Sequence, residues 1–220
     1  MKNIVHIFYI HQAEKLSDIV FQQFLLQLPI FFQTNIKAYK HWQSAQASLV
    51  GKMILKYALQ QLQISATLHD IKISSKERPY INEEIDFNIS HSGDYIICAI
   101  SLTAKVGIDI EKHRVLTQDI AGKYFTPAEQ QFIAQSNNPQ AAFFDLWAIK
   151  ESAIKCDGRG VEILKETQII PPISRQGCAK CHQITSYYEQ LQISDGYSTA
   201  VCSSADFEVA VAQLLLTDLG

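Results

Sequence analysis

The first half of the chain combines strand-like and helix-like patterns of apolar positions. Residues 3–10 alternate loosely, which is typical of a strand, and a helical pattern then runs until Pro29 interrupts it. The clearest helix of this half is predicted from about Ser44 to Leu62, where apolar residues recur along one side. A short strand is predicted at 71–73, and the stretch from Phe87 to Leu102 predicts two strands joined by a tight turn.

The second half begins with another strand pattern, from Val106 to Glu111. Further on, Thr126-Pro127-Ala128-Glu129 fits a capping box with proline at the first helical position. Asn137-Asn138-Pro139 is predicted to end that helix. A longer helix is predicted from about Gln140 to Lys155, stopping at Asp157-Gly158, and the remainder has mainly strand patterns.

Two segments, one from each half, resemble each other weakly. SGDYIICAIS at 92–101 and SDGYSTAVCSS at 194–204 share a polar turn, a tyrosine and a strand with cysteine near its end. Chance similarity is the alternative to an internal duplication. We therefore predict an α+β protein with an N-terminal half at 1–104 and a C-terminal half at 105–220.

Composition narrows the class of protein. The 220 residues include 19 basic and 22 acidic side chains, a net charge of -3, which argues against a nucleic-acid partner. No apolar stretch approaches the roughly 20 residues needed to cross a bilayer, and no secretory signal is visible, so no membrane partner is expected. Five cysteines without an export signal are typical of reduced thiols and predict a cytoplasmic protein.

The first candidate for chemistry is the strand Val106 to Glu111. Side chains alternate along a strand, so Asp109 and Glu111 lie on one face and Ile108 and Ile110 on the other. Two neighbouring carboxylates repel each other unless a cation neutralises them, and Mg²⁺ prefers carboxylate and phosphate oxygens. The alternative is a solvated acidic face.

The long helix supplies a third carboxylate. Trp147, Glu151 and Lys155 are four residues apart and therefore share one helix face. An exposed Glu–Lys pair is the alternative. Because that face continues into aromatic residues, we expect it to be partly buried, and buried charges need partners.

The third segment is Phe87-Asn88-Ile89-Ser90-His91-Ser92. Alternation places Asn88 and Ser90 on one face of a strand, and His91 lies where the strand enters a polar turn. A histidine there can meet a phosphate as a cation or as a hydrogen-bond donor. A structural histidine is the alternative.

Together, F-N-x-S-H-S, G-I-D-I-E and W-x-x-K-E-S-x-x-K, in this order and spacing, resemble the 4′-phosphopantetheinyl transferases. The length resembles the larger, surfactin-synthetase-activating type, which implies a monomer of two similar α/β halves related by a pseudo-twofold with the active site at their interface. The resemblance implies transfer of the phosphopantetheine arm of coenzyme A to a serine of an apo acyl or peptidyl carrier protein, with release of 3′,5′-adenosine bisphosphate.

The resemblance also implies roles for particular residues. The metal, Mg²⁺ or Mn²⁺ in its place, would be held by Asp109, Glu111 and Glu151. The coenzyme would be bound by the N-terminal half and by two helix lysines: Arg78, Ser90, His91, Lys150 and Lys155. The catalytic residues would be Glu151, Lys155 and His91. A metal-bound water or Glu151 would accept the serine proton.

One position departs from the family pattern. Ala47 occupies the place where the family often has an arginine for the 3′-phosphate of the coenzyme. Lys37, Lys40 or Lys52 could substitute, and ordinary surface lysines are the alternative. Two other functions stay open: a different Mg²⁺-dependent phosphate or pyrophosphate enzyme, and a catalytically impaired module that binds carrier proteins.

Two further segments have competing interpretations. The resemblance implies carrier contacts between Ile120 and Phe132, with Phe125 prominent; packing of Phe125 under its own helix is the alternative. Cys178-Ala179-Lys180-Cys181-His182 matches the haem-attachment pattern, which requires export, and it lacks a second ligand pair for zinc. We interpret it as a chance match.

Overall fold

The computed structural model describes residues 3–115, 120–171 and 173–220. The strands are β1 (Asn3–His11), β2 (Lys72–Ile73), β3 (Pro79–Tyr80), β4 (Asp86–Ser92), β5 (Tyr95–Ser101), β6 (Val106–Lys112), β7 (Thr167–Ile170), β8 (Gln176–Cys181), β9 (Ile184–Leu191), β10 (Tyr197–Ser203) and β11 (Phe207–Gln213). The α-helices are α1 (Asp18–Leu25), α2 (Ile30–Lys37), α3 (Trp42–Gln61), α4 (Ala121–Tyr124), α5 (Pro127–Gln135) and α6 (Pro139–Asp157). Short 3₁₀ turns lie at Leu68–Asp70, Val161–Ile163 and Leu216–Leu219.

The strands form two larger sheets and one hairpin. The first sheet has the order β11-β1-β5-β4, the second has the order β6-β10-β9-β8-β7, and β2 pairs with β3. Pairing is antiparallel except between β1 and β11, which run parallel with Val5 opposite Val209. The predicted α+β fold with two sheet-rich halves is confirmed, whereas the pseudo-twofold and the division at 104 stay predictions.

The apolar residues of each strand divide between two sides. One face of the first sheet packs against α3, where Leu49 and Met53 are completely buried. The opposite face meets the second sheet through a cluster that includes Ile7 and Ile108. The other face of the second sheet packs against α6 around Phe144. The layers therefore run helix, sheet, sheet, helix, and β6 shows its carboxylate face to α6.

Local signals explain several helix ends. Thr126 and Glu129 form the predicted capping box of α5. Two positions differ in detail from the predictions. Helix α1 already ends at Leu25, and Pro29 instead precedes the first residue of α2. Pro139 is the first residue of α6, which is capped by Asn138. Proline suits the first turn of a helix because its missing N–H has no partner there. None of the described helices is long and apolar enough to span a membrane.

Strand β6 and helix α6 touch at Gly107. A Cβ added there would overlap the Ser152 carbonyl oxygen and the Cys156 backbone nitrogen, and would lie 2.9 Å from the Lys155 carbonyl carbon. Backbone atoms cannot turn aside as a side chain can, so α6 would have to move. Gly107 therefore sets the distance between the strand and the helix that carry the candidate charged residues.

We expect Gly107→Ala to lower the free energy of unfolding by about 3 kcal/mol, because the extra methyl group overpacks this contact. Urea unfolding monitored by circular dichroism measures the change. Gly51→Ala is the matched control: its Cβ would meet the Ile89 Cγ2 methyl at 2.8 Å, and that side chain can adjust, so the loss should be smaller. Wild-type stability in Gly107→Ala would contradict the close contact.

Candidate functional site

Edge strands β4 and β6 run beside each other, and β4 side chains join the two sheets. Alternate residues of β4 accept hydrogen bonds from backbone N–H groups of β6: Asp86 from Val106, Asn88 from Ile108 and Ser92 from Lys112, over 2.7, 2.9 and 3.1 Å. We call this row the polar seam. It fixes the position of the carboxylates of β6 relative to β4, because each bond ties a side chain to a defined backbone group.

Arg78, in the turn that joins β2 to β3, lies at one end of the polar seam. Its guanidinium donates to the Asp86 carboxylate over 2.6 Å and to the Val106 carbonyl oxygen over 2.9 Å. The family resemblance implies that Arg78 binds the coenzyme and faces its adenine or its phosphates. The structure instead directs one guanidinium nitrogen into the seam, while the residue also lines a cavity that contains Glu151 and Lys155.

The three sequence motifs meet in the middle of the seam. The Ser90 hydroxyl donates to Asp109 Oδ1 over 2.9 Å, and the Lys155 ammonium lies 2.5 Å from the same oxygen. Lys155 also donates to Ser90 Oγ over 3.2 Å. Asp109 is 4% exposed, and its second oxygen, Oδ2, is buried without a hydrogen-bond partner among the described residues. A buried oxygen of a carboxylate without a partner is costly, so a further cationic or donor group is expected there.

The other two carboxylates lie within electrostatic reach of Asp109. Burial raises the pKa of Glu111, and the negative charge of Asp109 raises it further, although Ser92 donates to Glu111 Oε2 over 3.2 Å. Burial also raises the pKa of Glu151, with Lys155 lowering it and both neighbouring carboxylates raising it. These three acids therefore destabilise one another when all are ionised.

The donor chemistry of this cluster suits a hard divalent cation. Mg²⁺ takes carboxylate oxygens and usually completes its shell with water and substrate phosphate. Across the described ranges, no group of three or more His, Cys, Asp and Glu side chains is already gathered tightly enough to hold a metal. Two features of the cluster fit a magnesium ion: three carboxylates that repel one another, and the buried Oδ2 of Asp109 without a partner. Substrate oxygens would be needed to complete the coordination shell of the metal.

Two neighbouring cavities of about 210 Å³ each open beside the seam. The first cavity contains His91 and Lys52 among aromatic and aliphatic residues, and Ala47 also lines it. The second contains Glu151 and Lys155, and its lining also includes Arg78 and Lys76. Both cavities are lined by Asn88 and Pro79.

His91 faces the first cavity as a mainly neutral side chain. Burial lowers its pKa, and the nearby ammonium groups of Lys155 and Lys52 lower it further, against an opposing effect of Asp109. Near neutral pH, the imidazole therefore acts as a hydrogen-bonding group rather than a cation.

Lys150 lies apart from the other predicted site residues. Its ammonium is completely buried, 2.8 Å from Glu129 Oε2, and donates to the Tyr124 carbonyl oxygen over 2.7 Å. Glu129 Oε1 in turn accepts from the Ile169 N–H. The predicted contact between Lys150 and the pyrophosphate does not fit this placement, because the ammonium has no open side, and we leave Lys150 out of the proposed site.

Phe125 is also placed differently from the leading prediction. It is 5% exposed and packs edge-on against Phe143 and Trp147. Phe125 is therefore buried, but it packs against α6 and not under its own helix, and a carrier protein would have to use other residues of the segment. Residues 116–119 lie outside the described ranges.

The Cys178–His182 segment forms no gathered site. Cys178 and Cys181 lie three positions apart on β8, so their side chains leave opposite faces of the sheet, and Cys181 is buried. All five cysteines are free thiols. The interpretation of C-x-x-C-H as a chance match stays a prediction.

Sequence reasoning missed the contacts that Asp86 and Asn88 make between the two sheets. Both accept from β6 and thereby join the sheets. A signal was present, because β4 carries polar residues at every second position, 86, 88, 90 and 92, opposite an apolar face. This alternation could not indicate that β6 is the strand that these side chains contact.

Comparisons with known proteins identify the family of this chain. A family model described as the 4′-phosphopantetheinyl transferase superfamily matches residues 105–211, and one described as 4′-phosphopantetheinyl transferase, N-terminal, matches residues 17–103. The chain therefore belongs to the 4′-phosphopantetheinyl transferase superfamily, and it is a transferase, as the sequence resemblance predicted.

Individual relatives carry the same description. The chain is 31% identical over 192 residues to the 4′-phosphopantetheinyl transferase gsp of Aneurinibacillus migulanus, covering 82% of this chain and 79% of that protein. It is 27% identical over 215 residues to the 4′-phosphopantetheinyl transferase Sfp of Bacillus subtilis (strain 168), covering 90% and 92%. Similarity also extends to the L-aminoadipate-semialdehyde dehydrogenase-phosphopantetheinyl transferase of Xenopus laevis, at 28% identity over 53% of this chain and 45% of that protein.

Proposed function

We propose that this chain transfers the 4′-phosphopantetheine arm of coenzyme A to a serine of an apo acyl or peptidyl carrier protein, with Mg²⁺, and releases 3′,5′-adenosine bisphosphate. The serine oxygen forms a bond to the phosphorus of the arm, and the bond from that phosphorus to the bridging pyrophosphate oxygen breaks. The observation that carries the proposal is the meeting of Ser90, Asp109 and Lys155 across the polar seam, beside two cavities.

Different residues of the chain would bind the phosphates, accept the proton and hold the metal. Lys155, in the second cavity, would neutralise the pyrophosphate, and Glu151, in the same cavity, would accept the serine proton. A magnesium ion held by Asp109, Glu111 and Glu151 would supply positive charge where negative charge develops on the phosphate oxygens. Mn²⁺ offers similar oxygen-ligand chemistry. Ser90 and His91 would contact the phosphates from the N-terminal half.

Lys52 is the strongest of the three lysines considered for the 3′-phosphate. It lines the first cavity beside Ala47, whereas Lys37 and Lys40 are exposed. Its ammonium donates to Ser48 Oγ over 3.0 Å and lies 4.9 Å from the Phe32 ring centroid. Burial lowers its pKa to about 8. The ammonium is therefore available to a phosphate near neutral pH and loses its charge at moderately alkaline pH.

We expect the affinity for coenzyme A to fall as the pH rises through about 8. Lys52 is protonated below its pKa and neutral above it, whereas a phosphate monoester, with a second pKa of about 6, keeps its full charge. Calorimetric titrations between about pH 7 and about pH 9.5 measure this for wild type, Lys52→Met and the exposed-lysine control Lys40→Met. Parallel pH profiles for wild type and Lys52→Met would contradict the assignment.

The experiment for the overall proposal combines the protein with coenzyme A, Mg²⁺ and several apo carrier proteins. We expect the intact mass of a carrier to increase by one phosphopantetheine group, adenosine bisphosphate to appear in equal amount, and a chelator to stop both. A carrier whose acceptor serine is alanine is the control. Coenzyme A hydrolysis without a carrier would favour another phosphate enzyme, and tight carrier binding without transfer would favour an impaired module.

We also propose that one chain forms a complete site, because the seam and both cavities are built from a single chain. Sedimentation of the protein at assay concentration should then give the mass of a monomer. Activity confined to a dimeric fraction would contradict this. The cytoplasmic location stays a prediction.

A further inference from the structure

Another cavity, of about 100 Å³, lies on the face of the second sheet that packs against α6. We call it the α6 cavity. Its wall is formed by the last turns of α6, by residues of β7, β8 and β9, and by the residues that precede β6 and follow β10. It shares no lining residue with the two cavities beside the polar seam, so the proposed coenzyme and metal sites do not use it.

The interior of the α6 cavity is mainly apolar. Ala153 and Cys156 of α6 line it together with Ala179 and Cys181 of β8, and all four residues are buried. Burial raises the pKa of the Cys156 thiol, so this group carries no charge near neutral pH. Such a lining offers water few hydrogen-bond partners and instead suits the alkyl group of a ligand.

Polar groups lie at the mouth of the α6 cavity. Lys105, Thr185 and Ser204 are the exposed polar residues of its lining. The Lys105 backbone N–H donates to Ser204 Oγ over 3.0 Å, so the Ser204 hydroxyl keeps its own proton for another acceptor. Among the residues that the structure describes, no carboxylate lies within ion-pair distance of the Lys105 ammonium.

One carboxylate, that of Asp157, also lines the α6 cavity, but a different cation compensates its charge. Arg159 donates to both oxygens of Asp157, over 2.5 and 2.8 Å. These hydrogen bonds lower the pKa of Asp157, and the nearby Lys105 ammonium lowers it further. Because Asp157 is already paired, the charge of Lys105 is left over at the mouth and favours an anion there.

We propose that the α6 cavity binds a short-chain monocarboxylate, with its alkyl chain between α6 and β8 and its carboxylate at the mouth, where the Lys105 ammonium and the Ser204 hydroxyl donate to it. A water molecule takes up about 30 Å³ and a methylene group is of similar size, so the interior holds a chain of about three to five carbons. The ligand would pack against the helix that carries Glu151 and Lys155. This site is distinct from the proposed transfer reaction and does not depend on it.

A series of carboxylates of increasing length tests the apolar interior. In protein with ¹³C-labelled isoleucine methyl groups, the signals of Ile184 and Ile170 are assigned from the spectra of Ile184→Val and Ile170→Val. Ile184 lines the cavity, whereas Ile170 is an exposed isoleucine of the same sheet outside it. We expect pentanoate to shift the Ile184 signal to saturation and to leave Ile170 unmoved. From acetate to pentanoate, the dissociation constant should fall roughly fourfold for each methylene group.

Two lysine variants test the charge at the mouth. We expect the dissociation constant for pentanoate to rise roughly fivefold in Lys105→Met, because an exposed ion pair is lost. Lys180→Met is the matched control, since Lys180 is an exposed lysine of β8 that does not line the cavity. 1-Pentanol has the same alkyl chain without a charge and should bind wild type and Lys105→Met equally. The thermal midpoint of each variant checks that the fold is intact.

Three results would overturn the proposal. The first is an Ile184 signal that pentanoate leaves unmoved at its highest soluble concentration, or moves no more than that of Ile170. The second is a dissociation constant that does not change with chain length. The third is the same affinity for pentanoate in Lys105→Met as in Lys180→Met.

Discussion

Asp109→Ala is expected to lower kcat/KM for phosphopantetheine transfer by at least about a thousandfold, which corresponds to roughly 4 kcal/mol of transition-state stabilisation. Asp109 is the most buried of the three carboxylates, and it alone contacts both Ser90 and Lys155. Its removal would take away the buried Oδ2 and release Lys155 from its place. Transfer assays with a carrier that wild type modifies, together with a Mg²⁺ titration, measure the loss.

The fold of this variant should survive. Removing one of three mutually repelling carboxylates relieves part of their repulsion, and the Lys155 side chain is 28% exposed, so its ammonium can turn to water. Asp109→Asn should lose similar activity while keeping the volume of the side chain. Asp94→Ala is the control, since Asp94 pairs with Lys112 on the surface at the β4–β5 turn. Near-normal transfer by Asp109→Ala would contradict the site.

Lys150→Met is expected to lower the free energy of unfolding by about 3–5 kcal/mol, because the buried carboxylate of Glu129 would lose its cation. Glu129 holds the start of α5 through the Thr126 N–H and holds β7 through the Ile169 N–H. Its unpaired charge would weaken both contacts. The thermal midpoint should fall by about 10 °C for a chain of this length.

Lys155→Met is the matched control on the same helix. Lys155 lines the cavity, so its loss should reduce activity strongly, with some loss of stability because buried Asp109 loses its cation. Lys150→Met should instead keep most activity per folded molecule. Combining Lys150→Met with Glu129→Leu should recover part of the lost stability, since no uncompensated charge is then buried. A Lys150→Met protein as stable as wild type but deficient in transfer would restore the sequence prediction for Lys150.

Helical spacing alone is enough to separate these two lysines. Residues five apart lie roughly 140° apart around an α-helix, so Lys150 and Lys155 cannot face the same cavity. Lys155 shares a face with Glu151 at four residues' distance, as predicted. The resemblance to a family, applied residue by residue, included Lys150 among the coenzyme-binding residues although the helix geometry opposed it.

Most elements of the fold were predictable because their signals are local. The capping box at Thr126, the turn at Gly93 and the long helix before Gly158 each depend on neighbouring residues. The parallel pairing of β11 with β1 was not predictable, because it joins residues about 200 positions apart and neither strand encodes its partner.

The candidate site shows the same division between local and long-range information. The alternation of β4 and β6 placed Ser90 and Asp109 on polar faces, which the structure shows. The seam itself depends on two sheet edges lying side by side, and this follows from packing of the two layers around Ile7 and Ile108. The polar face of β4 was therefore visible in the sequence, whereas the strand that Asn88 contacts was not.

A crystal structure of the chain with coenzyme A and Mn²⁺, with data collected at the manganese absorption edge, tests the central claim most directly. The account predicts one anomalous peak at ligand distance from Asp109, Glu111 and Glu151 and from a pyrophosphate oxygen, with the coenzyme occupying the two cavities beside the seam. A metal peak away from these carboxylates, or a coenzyme bound outside both cavities, would contradict it.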